Sequence, residues 1–74
     1  MDYDYSKLLG RIVEKCGTQL NFASAIGLSE GSVSLRLNRH VPWKDTEIVK
    51  AIEVLNISAN DIPKYFFAQK VHER

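Results

Sequence analysis

Very little in this chain is equipped for covalent chemistry. Cys16 is the only cysteine in 74 residues, so no disulfide can close within the chain. With His40 and His72 as the only histidines, Cys16 has no ligand set for a metal and reads as a packed or inert thiol. The apolar runs are a few residues long, far short of the roughly 20 needed to cross a bilayer. Asp2 and Asp4 stand where a signal peptide would be basic. Paired acids in a cleft-forming pattern, metal-ligand spacing and a glycine-rich phosphate loop are all missing. These absences exclude an enzyme, a cofactor or metal, a small-molecule substrate and a membrane partner. They place the expected compartment in a reducing cytoplasm.

The composition, 45% apolar and 26% charged, is that of a folded globular chain rather than a disordered one. No repeat or linker divides it, so residues 1–74 are expected to form one domain. A core this small is marginal, which makes oligomerisation a natural expectation. The formal net charge of +1 says nothing for nucleic acid by itself. Its distribution says more: from Gly31 to Lys44 there is no Asp or Glu, while Arg36, Arg39 and Lys44 fall inside that window.

Apolar residues at helical spacing, punctuated by caps, predict an all-α fold. Tyr5, Leu8, Leu9, Ile12, Val13 and Cys16 share one face of a helix over 6–16, started by Ser6 or Asp4 and stopped by Gly17. Thr18 caps a second helix, 19–26, with Phe22, Ala23 and Ile26 inward and Gly27 ending it. Ser29 caps a third, 30–38, anchored by Val33 and Leu37. After a loop, 39–44, a fourth helix over 45–55 carries Ile48, Ala51, Ile52 and Leu55. Ser58 opens a fifth segment, 59–67, which Pro63 splits or kinks, with an extended reading open for 65–71. Residues 69–74 read as a frayed polar tail.

The stretch from Gln19 to Asn38 has the parts of a helix-turn-helix. Ala23 is the small residue at the helix contact, Gly27 opens the turn and Val33 closes the wedge. The alternative is an ordinary helical hairpin.

The chain also resembles a known family. Asp4 to Leu8 with Gly10, then Gly17–Thr18–Gln19, Phe22–Ala23, Gly27 to Glu30 and Ser34 to Asn38 carry the likeness. Val41–Pro42–Trp43, Glu47–Ile48 and Tyr65–Phe66–Phe67 continue it over nearly the whole length. These resemble the small Cro-type repressors of Gram-positive phages, within the lambda-repressor-like group. The resemblance implies a compact five-helix fold with the helix-turn-helix as helices two and three, acting in the cytoplasm of a bacterial host. It implies a transcriptional switch protein that binds a palindromic, double-stranded operator as a homodimer, with a recognition helix in the major groove.

With Val33 and Leu37 inward, Ser29, Glu30, Gly31, Ser34, Leu35 and Asn38 lie on the outward face and, with Gln19, are the base-contact candidates. Glu30 serves equally as a favourable charge at the helix N-terminus. Thr18, Ser32, Arg36, Arg39, His40 and Lys44 are the phosphate-contact candidates. Pure capping stays open for Thr18, contact with the second helix for Ser32 and a solvated surface role for Arg36. Trp43 is expected to pack half-buried in the loop. The resembling proteins commonly carry a longer polar side chain where this chain has Gly31; glycine there removes a potential contact, and either weakens operator binding or permits close backbone approach to the DNA. Tyr65, Phe66 and Phe67 are either core or a dimer contact near the C-terminus. A second functional class remains: a protein-interaction module, such as an antitoxin or anti-repressor, built on the same fold.

Overall fold

In the computed structural model, which describes residues 2–70, each helix begins and ends where local chemistry changes. The first, α1, spans Ser6–Cys16. The Asp4 carboxylate accepts the Ser6 N–H at 2.9 Å, and that bond holds its carboxyl below the usual range. Gly17 ends α1 at φ 83°, a left-handed region that favours glycine. The Thr18 hydroxyl accepts the Asn21 N–H at 3.1 Å and opens α2, Gln19–Ile26. Gly27, at φ 77°, closes it. Ser29 Oγ accepts the Ser32 N–H at 3.1 Å and opens α3, Glu30–Leu37, with Asn38 as its C-cap. The fourth helix, α4, runs Asp45–Leu55, its first turn secured by Glu47 accepting the Lys44 N–H at 3.0 Å.

The final segment departs from a single helix over 59–67. A one-turn 3-10 helix, Ala59–Asp61, precedes α5, Ile62–Phe66. Pro63 sits in the first turn of α5, where its missing N–H leaves no intrahelical bond unmade. The extended reading of 65–71 survives only as an isolated antiparallel bridge between Tyr3 and Gln69. Asp4 N–H donates to the Ala68 carbonyl at 2.7 Å and Lys70 N–H to the Asp2 carbonyl at 3.1 Å. Gln69 and Lys70 are therefore tied to the opposite terminus rather than frayed; the remainder of the expected tail, 71–74, lies outside the described residues.

The architecture is all-helical, five α-helices with no named strand among the described residues. One core joins Leu8 and Ile12 of α1, Phe22, Ala23 and Ile26 of α2, Val33 and Leu37 of α3, Ala51 and Leu55 of α4, and Phe66 of α5. The second helix is the hub, packing on α1, α3 and α4. Ala23, the small residue expected at the contact of α2 with α3, is fully buried. Each large apolar side chain buried here contributes about 1.5–3 kcal/mol. No helix among the described residues is long and apolar enough to cross a membrane.

Arg11 adds a tie that periodicity does not announce. Its Nε donates to the Leu55 carbonyl at 2.9 Å and its Nη2 to the Asn56 carbonyl at 3.0 Å. These carbonyls end α4, where backbone acceptors lack helical partners and favour a cation. Gly10, the residue before Arg11 in α1, costs helix stability without filling any space. Gly10→Ala is expected to raise unfolding free energy by about 0.5–1 kcal/mol, because a Cβ there meets nothing within 4 Å. A lower urea midpoint for this variant would contradict that account.

Candidate functional site

The sequence-predicted residues lie along the α2 start, the α2–α3 turn, α3 and the loop after it. Whether each is free to touch a partner is decided by its hydrogen bonds. Ser29 Oγ is spent twice, capping α3 and pairing with Ser32 Oγ at 3.0 Å. Asn38 Nδ2 donates to the Ser34 carbonyl at 2.8 Å and reaches Ser34 Oγ at 3.3 Å. Thr18 is exposed, with its hydroxyl used as a cap, and Gln19 is half-buried. Glu30 and Gly31 are exposed, and Gly31 has open space at its Cβ position.

Arg36 is the clearest departure from expectation. It was placed at the flank of the outward face, but it turns inward and is 8% exposed. Its Nε donates to Glu47 Oε1 at 2.8 Å and its Nη2 to Glu47 Oε2 at 2.9 Å, a bidentate pair between α3 and α4. Its Nη1 donates to the Ser32 carbonyl at 2.9 Å. These bonds hold the Glu47 carboxyl below the usual carboxylate range against the opposing effect of burial. Arg36 thus leaves the phosphate-contact set and becomes the strut that fixes α3.

What remains open is the cationic pair Arg39 and Lys44, with His40 beside Arg39 in sequence, all exposed. Arg39 adopts φ 66°, left-handed backbone that a glycine occupies without strain. It follows the cap of α3, its N–H donating to the Arg36 carbonyl at 3.1 Å. An arginine held there serves something other than backbone geometry. Arg39→Gly is expected to keep stability or raise it by up to about 1 kcal/mol. A fall beyond that range in urea denaturation would show that the side chain packs.

Beside Arg39 lies a pocket of about 330 Å³, walled by Tyr3, Tyr5, Pro42, Trp43, Phe66 and Phe67. Its walls come from both terminal segments and from the α3–α4 loop. Trp43 is half-buried as expected and meets Phe22 and Phe66 edge-on at 6.4 and 5.5 Å. Its indole Nε1 is buried without a hydrogen-bond partner among the described residues, so it cannot serve a DNA phosphate. Phe67 is 47% exposed and stacks edge-on with Tyr3 at 5.7 Å. Burial pushes the Tyr5 hydroxyl above its ordinary pKa.

The aromatic trio of the last helix is therefore split. Phe66 is core at 1% exposure and cannot be a dimer contact, whereas Tyr65 is half-buried and Phe67 open. Leu20 and Leu35, on α2 and α3, are 56% and 46% exposed. Sequence reasoning missed Glu47 and the pocket walls Tyr3 and Tyr5. Among the described residues no group of three or more His, Cys, Asp or Glu side chains is arranged to hold a metal ion.

The family described as protein of unknown function DUF739 matches residues 1–69, and the chain belongs to that family. No curated protein matches the chain. Among solved structures, it is similar to the modulator of repression of the temperate bacteriophage TP901-1 from Lactococcus lactis, a solution structure. The two are 67% identical, with 97% of each chain covered and a TM-score of 0.80.

Proposed function

We propose that this protein is a phage regulator that modulates repression by binding another protein of the switch, the repressor itself, rather than by reading an operator alone. The observation that carries this reading is how the outward face of the α2–α3 unit is spent. Its short polar groups are engaged within the chain, Ser29 with Ser32 and Asn38 with Ser34, and Arg36 is withdrawn from it to Glu47, which leaves Gln19 and Glu30 as its open long polar side chains. Its open groups include Leu20 and Leu35, and beyond Arg39 the surface leads to the aromatic pocket. A base reader needs more than Gln19 and Glu30, with several long polar side chains free to meet base edges. Apolar anchors with an arginine beside them suit a protein interface. The name of the 67% identical relative, a modulator of repression, fits a protein that acts on a repression system.

A second reading keeps the helix-turn-helix as a Cro-type, sequence-specific DNA-binding unit working as a homodimer on a palindromic operator. The acid-free window from Gly31 to Lys44 favours it, with Arg39, His40 and Lys44 exposed. On this reading most affinity comes from phosphates, Gly31 leaves base reading thin, and Tyr65 or Phe67 supplies the dimer contact.

Two titrations separate the readings. The protein is titrated with the DNA-binding domain of the same phage's repressor, and separately with a pool of random duplexes subjected to selection. The first reading expects a protein complex that tolerates salt and no enriched sequence. Enrichment of a two-fold symmetric sequence, bound with steep salt dependence and without the repressor, would overturn it in favour of the second.

A further inference from the structure

Gly10 has no reason for being glycine inside this chain. It stands mid-α1 without a positive φ, is exposed, and a Cβ at its position meets nothing within 4 Å. Glycine there weakens the helix relative to alanine, so neither backbone geometry nor internal packing explains it. What it does is floor a shallow groove of about 380 Å³ between α1 and α5, lined also by Lys7, Arg11, Glu14, Lys64 and Tyr65. Three cations and one carboxylate line that groove, Lys7, Arg11 and Glu14 from α1 and Lys64 from α5. Arg11 and Glu14 pair with each other at 3.2 Å. Lys7 and Lys64 are not ion-paired among the described residues, and the Lys64 ammonium lies 5.6 Å from the centre of the Tyr65 ring.

We propose that this groove binds an acidic segment of a partner protein, its backbone passing over Gly10 and its carboxylates meeting Lys7 and Lys64. The groove shares no lining residue with the aromatic pocket, so this surface stands independently of the function proposed above. The missing side chain at Gly10 allows close backbone approach, and the two ammoniums, neither of them in an ion pair among the described residues, supply charge complementarity. Glu14 in the wall argues for a peptide over duplex DNA. A phosphate rod carries a charge about every 1.7 Å of axis and would press some of them against that carboxylate. A peptide places its charges only where its side chains reach.

The test is a titration of the ¹⁵N-labelled full chain with decaglutamate at low ionic strength, where surface charges are least screened. The expected result is saturable shifts confined to Lys7–Glu14 and Lys64–Tyr65. Gly10→Gln, which restores a helix-favouring side chain, is expected to weaken binding several-fold while thermal stability holds or rises. Lys7→Gln combined with Lys64→Gln is expected to weaken it by about tenfold, and Gly31→Gln to leave it unchanged. Unaltered affinity in Gly10→Gln, absence of saturable shifts, or shifts centred elsewhere would overturn the proposal. So would a random duplex that displaces decaglutamate from the same residues and binds them more tightly.

Discussion

Replacing Arg36 with methionine while Glu47 is retained is expected to lower the unfolding free energy by about 3–5 kcal/mol. Both side chains of the pair are about nine-tenths shielded, at 10% and 11% exposure, and joined by two hydrogen bonds. Methionine keeps much of the arginine's packing volume but strands the Glu47 carboxylate, whose remaining partner is the Lys44 N–H. A domain of this size has a total stability of about 4–11 kcal/mol, so the loss takes a large share of it. Urea denaturation followed through Trp43, the only tryptophan, reads it directly. Pairing Arg36→Met with Glu47→Leu is expected to recover most of the loss, less about 1 kcal/mol for the cap that Glu47 provides. A loss under about 1 kcal/mol in the single variant would place the pair among ordinary surface bridges.

The pH dependence of the same pair has a definite sign. The guanidinium holds the folded carboxyl of Glu47 below its ordinary value of 4.5. The group therefore contributes its full stabilisation above 4.5, and loses it as the pH falls through the folded value. The difference between the parent and Arg36→Met should narrow in acid, and a difference that widened there would contradict the assignment.

Arg36 also marks where sequence reasoning reached its limit. The bounds of α1 to α4 were legible to within a residue, most firmly around α2 and α3, where two independent signals coincide. Capping residues Thr18 and Ser29 and terminating glycines Gly17 and Gly27 fall where the apolar period starts and stops. Charge alone marks Arg36 as a surface residue, although it lies three residues beyond Val33 and one before Leu37, roughly 60° from the first and 100° from the second on the helix. That placed it at the edge of the buried stripe, and Glu47, four residues before Ala51, stands in the equivalent position on α4. The inward turn was thus visible in principle; the pairing itself needed tertiary structure. The aromatic pocket was out of reach for a different reason. Its walls come from residues 3–5, 39–43 and 66–67, which are brought together by the terminal bridge, and no local period encodes that meeting.

Phe66→Ala is expected to cost about 3–5 kcal/mol, and since each kcal/mol shifts Tm by about 4–8 °C in a domain this small, melting should fall steeply. The cost is large because Phe66 does more than fill space. At five residues, α5 is too short to hold its own helix. Its docking rests on this side chain, 1% exposed and edge-on to Trp43. Phe66 also forms part of the pocket wall, so its loss should loosen Trp43 and red-shift its emission. The neighbouring Phe67→Ala separates fold from function. Phe67 is 47% exposed, and its truncation is expected to cost under about 1 kcal/mol, near the range of ordinary surface changes. If the pocket receives a side chain of the repressor, Phe67→Ala should nevertheless weaken that complex while leaving the fold intact. Equal stability losses in the two variants would mean that the whole aromatic wall is structural, and the contact with a partner would have to be sought on Leu20 and Leu35 instead.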